Sequence, residues 1–317
     1  MDQSALSSRA IIGAYYARLE TSPALAWVAG VSNYFNSDQA SETYEWLGMA
    51  PAMREWVGGR NAKGLRGNEY TIANKHFEAT LEVAVKDARR DKTGQIMVRV
   101  QDFADRALTH WASLLSSLIA NGASTACYDG QYYFDTDHVE GDSGTQSNSI
   151  SVDISALPAT VHGATTAPSV EEMQQSILAG IAQILGFKDD RGEPMNEGAS
   201  SFLVKVPPSL YLTAVAAVAR GNLATQAQDM SSRIPANLQI DVAMNARLTA
   251  WTAQFAVFRT DSPIKGLIRQ EEQEGQLKAK AEGSEYEFDN DAWQFGVDAW
   301  RNVGYGYWQR ACLVTMT

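Results

Sequence analysis

The sequence predicts a mixed α+β fold. Three observations carry this: one long segment with apolar residues every three or four positions, several short segments with apolar residues at every second position, and a stretch from about Asn36 to Lys92 that is rich in glycine and large aromatics. At 317 residues the chain has room for one large domain or two ordinary ones, with a sizeable core. No internal repeat is visible.

From Ser4 to Glu20 the pattern is weakly helical and stops at the turn signal Thr21-Ser22-Pro23. Between Gly30 and Gly67 the chain reads "YEWLGMAPAMREWVGGRNAKGLRG" within a wider Gly-, Asn- and Ser-rich run, neither regular nor of disordered composition. Phe77, Ala79, Leu81, Val83 and Val85 then alternate, which puts them on one face of a long strand that needs a partner in this chain or another. The clearest helix runs from Val98 to Asn121. Its apolar set, from Val100 and Phe103 through Trp111 to Leu118 and Ile119, repeats with helical period, and Asn121-Gly122 supplies the stop. A second helix starts at Ser169, whose hydroxyl and Glu172 have capping-box spacing, and ends at Gly186. Pro207-Pro208 opens a third, to Arg220. "SFLVKV", "LQIDVAM" and "TAQFAVFR" read as strands. Alternation returns in Trp293, Phe295 and Val297, then in Val303, Tyr305 and Tyr307.

The formal net charge of −11 is carried by two segments: Tyr128–Asp142 holds five acids and no base, and Glu271–Asp291 holds eight acids and two bases. With the remainder balanced, no clustered basic surface for sequence-specific nucleic-acid readout is expected. Two cysteines make no disulfide framework, the N-terminus lacks a secretion signal, and no run reaches the ~20 apolar residues of a membrane span, so a soluble cytoplasmic protein is expected.

Candidate chemistry is sparse. Gly59–Arg66 has two glycines five apart but lacks the Lys and Ser/Thr that a phosphate-binding loop needs after the second. Of the four histidines, His76 lies in a strand among Lys and Glu, and His110 lies beside the long helix's apolar stripe. "CYDGQYYFDTDHVEGDSG", Cys127–Gly144, is the most enzyme-like segment. Asp135, Asp137 and His138 offer oxygen and nitrogen ligands for a cation, yet the run lacks the Gly and Glu of a calcium loop. Cys127 with His138 suggests a thiol nucleophile, but no third orienting residue stands out. The favoured reading is structural: a turn at Asp129-Gly130, a short strand at Tyr132–Phe134, and a hydrogen-bonded corner at Asp135–His138.

Four segments in order, "YEWLGMAPAMREWVG", "YTIANKHFEATLEV", "CYDGQYYFDTDH" and "VGYGYWQRA", resemble the Mu-like bacteriophage major head subunit family over essentially the whole chain. That resemblance implies a Hong Kong 97-type capsid fold: an N-terminal arm (1–35), an extended β-hairpin arm (36–92), a peripheral domain with a spine helix (93–149 and 264–317) and an axial domain (150–263). It implies a shell protein rather than an enzyme, without cofactor or bound metal, found in the virion capsid and assembled in the host bacterial cytoplasm. Its implied partners are many copies of itself, scaffold, portal and decoration proteins, and packaged double-stranded DNA held non-specifically, with no membrane. Trp46, Arg54, Trp56, Arg60, Arg66 and Tyr70 become expected subunit-interface residues, because aromatics in a glycine-rich arm need burial from elsewhere. The alternatives are a nanocompartment shell on the same fold and a metal-dependent enzyme using Asp135, Asp137 and His138.

Overall fold

The computed structural model describes residues 7–21, 26–44, 70–91, 94–222 and 238–317. The chain opens with helices α1 (Ser8–Thr21) and α2 (Ala26–Val31), then strands β1 (Ser32–Asn36), β2 (Ser41–Tyr44), β3 (Tyr70–Ala73) and β4 (Lys75–Ala84), and helices α3 (Val85–Arg90) and α4 (Gln95–Ala120). Short strands β5 (His138–Val139) and β6 (Thr145–Gln146) lead to β7 (Ser149–Val152), α5 (Val170–Leu185), β8 (Ser201–Val206), α6 (Pro208–Asn222), β9 (Gln239–Met244) and β10 (Gln254–Arg259). The chain closes with β11 (Leu267–Lys280), α7 (Glu285–Asn290), β12 (Ala292–Tyr305) and β13 (Ala311–Met316).

Local chemistry explains the helices. The carboxylate of Asp91 accepts from the amides of Gln95 and Ile96 at the start of α4, and the 26 residues of that helix span about 39 Å. Val100, Ala104, Leu115 and Ile119 are its buried stripe. The expected capping box forms on α5: Ser169 accepts from the Glu172 amide and Glu172 accepts from the Ser169 amide. Gly180 lets α5 lie close on the sheet, because a Cβ there would stand 2.8 Å from Val314. Among the described residues no helix is long and apolar enough to cross a membrane.

Two sheets organise the body. The first has order β1-β11-β12-β4, with β1 parallel to β11 and the other pairs antiparallel. The second has order β7-β13-β10-β8-β9. β8 lies inside that second sheet and is buried along nearly its whole length, as a near-continuous apolar run in a central strand should be. The main core gathers α5, α6, the end of α4 and the five-stranded sheet. A second core lies where α1, α4, β4 and β12 meet.

The structure departs from the sequence reading at four places. The strand at 75–84 finds its partner within the chain: β4 pairs with β12 from Lys75↔Arg301 to Ala84↔Ala292, so it belongs to the body and not to the arm expected over 36–92. The expected peripheral segment 264–317 is shared between sheets, because β13 leaves β12 and pairs with β10 and β7. β11 went unread, since "LIRQEEQEGQLKAK" carries little apolar alternation; it exists because β12 gives it a ladder, and its distal half is largely exposed. Tyr132–Phe134 makes only one bridge, Ala126↔Tyr132, and no strand. Tyr133 and Phe134 serve as core side chains instead, with Tyr133 stacked on Tyr305 at 4.5 Å.

Candidate functional site

The acidic corner is held from inside. Gly130, at φ 87°, closes a turn in which its amide donates to the Cys127 carbonyl. That turn aims Asp129 inward. One carboxylate oxygen of Asp129 lies 2.6 Å from His138 Nδ1, and the other accepts from the Cys127 thiol at 3.1 Å and from the Gln131 amide. His138 is fully buried and stacks on Trp308, centroids 4.1 Å apart. Its Nε2 faces the Asn148 side-chain oxygen at 3.3 Å, while the Asn148 amide donates to the carbonyls of Tyr133 and Trp308. Both ring nitrogens therefore face side-chain oxygens, which fixes the orientation of the ring.

This geometry revises the sequence reading of the corner. Asp135, Asp137 and His138 do not converge: the ring of His138 is committed to Asp129 and Asn148, while Asp137 is exposed. Asp137 is raised above the ordinary carboxyl range by desolvation and by its hydrogen bond to Asp135. The potential ligand atoms that do come together belong to Cys127, Asp129 and His138, all within 4.8 Å of one another. A cation there would have to break two formed hydrogen bonds. Burial pushes the Cys127 thiol up, and the Asp129 charge pushes it further, so it is held as a thiol and not as a nucleophilic thiolate. Asp129 is raised by burial, but its hydrogen bonds from His138 and Cys127 outweigh that and leave it lowered overall. Asp129 is the third residue that the Cys127–His138 pair lacked in the sequence; the Cys-x-Asp-Gly turn is the signal that points to it.

The β2–β3 pair, which flanks the Gly-rich stretch, is the second place to which the sequence reading pointed. β2 and β3 pair antiparallel, with Tyr44 opposite Tyr70. Gln270, fully buried, ties this pair down: its oxygen accepts from Tyr44 Oη at 2.7 Å and its amide donates to the Ile72 carbonyl and the Asn74 side chain. Tyr70 Oη accepts from the Tyr305 amide at 3.0 Å, and burial raises its hydroxyl above the ordinary phenol range. Tyr70 thus finds a polar partner in its own chain, while its half-buried ring stays among the expected subunit-interface residues. Trp46, Arg54, Trp56, Arg60 and Arg66 lie outside the described residues, as does the Gly59–Arg66 loop.

The chain matches the family model for the Mu-like prophage major head subunit gpT over residues 13–158 and 235–317. It is similar to the Mu-like prophage FluMu major head subunit of Haemophilus influenzae, 34% identical over 123 residues, which are 38% of this chain and 40% of that one. It is also similar to the major capsid protein of Escherichia phage Mu, 37% identical over 103 residues, 32% of this chain and 34% of that one. The matched segments thus span well under half the length of these curated relatives. Among solved structures, the backbone resembles a chain of the bacteriophage JBD30 procapsid at a TM-score of 0.56 and 23% identity, covering 96% of this chain and 72% of that one. It resembles the capsid of cyanophage P-SCSP1u at 0.57 and 10%, covering 93% and 88%.

Proposed function

Since the chain belongs to the Mu-like prophage major head subunit family and has the Hong Kong 97-type capsid fold, we propose that it is the subunit from which a tailed phage or prophage builds the icosahedral shell around its double-stranded DNA. The observation that carries this reading is the match to the head subunit family on both sides of the second sheet's helical layer, 13–158 and 235–317. Partnership with scaffold, portal and decoration proteins and with packaged DNA belongs to the same proposal, as does assembly in the host cytoplasm.

Within that reading the four-stranded sheet with α4 acts as the peripheral domain, and the five-stranded sheet with α5 and α6 as the axial domain. Residues 45–69, which lie outside the described residues, are proposed to meet a neighbouring copy. Trp46 and Trp56 supply apolar contact there, and Arg54, Arg60 and Arg66 pair with acids of the neighbour. Each contact is modest, but a shell subunit makes many at once, so leaving the shell breaks them together. The acidic balance of the chain also suits a container, since a wall that does not grip phosphates lets DNA move.

Electron microscopy of the expressed chain, and of heads from a lysate of the phage or prophage that encodes it, tests the reading. Closed particles built from this chain, DNA-filled in the lysate, are expected. A chain that stays monomeric when concentrated and is absent from the lysate's heads overturns it. Trp56→Ala should weaken assembly while leaving the thermal unfolding of the chain nearly unchanged.

A further inference from the structure

The β4 face is finished at one end and open at the other. Val83 is buried beneath α1 with Val100 and Ala104, but Phe77 is only half-buried and Ala79 is exposed. Beyond the cover of α1, a groove of about 190 Å³ opens between the sheet and α4. Phe77, Ala79 and Val297 form one wall, Phe103 and Ala107 the other, and His110 sets its ring edge-on to Phe77 at 4.5 Å. Arg106 and Glu78 also line it, and Arg301 lies at its base. Arg106 is exposed and its surface pair with Asp102 is of the weak kind, so this cation can take a further partner.

The tip of the β11–β12 hairpin carries the complementary shape. Phe288 is 90% exposed, the most exposed large apolar side chain among the described residues. A lone exposed phenylalanine means little by itself, but this one stands on a pinned platform. Ser284 caps α7 by accepting from the Glu287 amide; Glu287 in turn accepts from the Gly283 amide and from Trp293 Nε1 at 3.0 Å. Tyr286 Oη donates to Glu82 at 2.5 Å, and Asp291 closes the turn at φ 48°. Its neighbours are fastened and Phe288 points out, which is how a preorganised anchor is built. Glu282–Asp291 carries five acids and no base, opposite in sign to the arginines of the groove. The groove cannot receive its own knob: Val297 lies five residues along β12 from Ala292, about 17 Å from the tip on the same rigid strand.

We infer that Phe288 of one copy seats in the α4–sheet groove of a neighbouring copy, with the tip's carboxylates facing Arg106. The inference rests on the shell reading above and adds a specific head-to-tail contact, of the kind that propagates around a closed assembly. To test it, one batch of chain carries Phe288→Cys and another Ala79→Cys; both sites are exposed, and the native Cys127 and Cys312 are buried. The two batches are assembled together, mildly oxidised and run on a non-reducing gel. A disulfide dimer in mixed particles, absent from particles of either batch alone, is expected. Phe288→Ala should raise the concentration needed for assembly about tenfold, with Phe288→Tyr close to the parent. Mixed particles without the dimer, or a dimer formed by the Phe288→Cys batch alone, overturn the contact and leave the shell reading standing. A dimer without particles supports the contact and removes the shell reading; neither dimer nor particle removes both.

Discussion

Lys205 offers the most quantitative test of how this body is held together. It stands in the middle of the second sheet with no exposed surface, its Nζ 3.6 Å from the centroid of the Trp27 ring and donating to the Met244 carbonyl at 3.3 Å. Burial lowers its pKa from 10.5 to about 7. A gap of that size corresponds to about 5 kcal/mol against the charged form, at about 1.4 kcal/mol per unit. The Trp27 ring offsets up to about 2 kcal/mol of this, and the hydrogen bond about 1 kcal/mol. Lys205→Met keeps the unbranched stem and removes the cation, so it should stabilise the chain by about 1–3 kcal/mol at pH 6. The folded pKa lies below the unfolded one, so between about pH 7 and 10.5 the unfolded chain holds a proton that the folded chain has released. Parent stability from this group therefore rises with pH across that window, by about 4 kcal/mol between pH 6 and 10, so the advantage of the Met variant crosses zero within the window and is reversed by about pH 10. Urea unfolding of both chains at pH 6, 8 and 9.5 measures this. If Lys205→Met is less stable than the parent at pH 6, or if the difference does not move with pH, then the amine is held charged by Trp27 and the reasoning fails.

Three further outcomes follow from other contacts. Glu172, fully buried, accepts from the amides of Gly163 and Ser169 and from His162; burial raises its pKa, but these hydrogen bonds outweigh it and leave it lowered. Glu172→Gln should cost about 1–3 kcal/mol near neutral pH, with the difference shrinking as pH falls through the carboxylate range, read as melting temperature against pH. His138→Phe keeps a ring against Trp308 but leaves Asp129 buried without its partner, so chemical unfolding should show a loss of about 3 kcal/mol, and a loss under 1 kcal/mol would mean the pair contributes little. Gly304→Val would drive a side chain into Ile72 and Tyr70, where β3 rests on β12; we expect about 1–3 kcal/mol of destabilisation and faster proteolysis around β3 than elsewhere in the chain.

Much of this protein was legible locally. The α5 capping box, the apolar stripe of α4 and the run "SFLVKV" are decided by neighbours within one or two turns, so spacing alone reveals them. The four ordered segments pointed to the head-subunit family because their order survives without any knowledge of contacts. The partner of β4 was left open, since alternation says that a face will be buried and not by what. β11 was invisible, because a strand that takes its ladder from β12 needs little apolar pattern of its own. In the corner the sequence showed Cys127 and His138, but their convergence on Asp129 depends on the left-handed turn at Gly130 and on Trp308, 170 residues away from His138.

For α4, α5, α6 and β8, sequence by itself determined what coils, what extends and where each stops, because caps, periods and turn residues act over a few bonds. Tertiary structure alone decided which strands share a sheet, that Tyr70 is served by Tyr305, and that the β4 face is covered at Val83 and open at Phe77. Those outcomes depend on pairing residues as distant as Ser32 and Leu267, where the loss of chain entropy must be balanced by contacts that no local window contains.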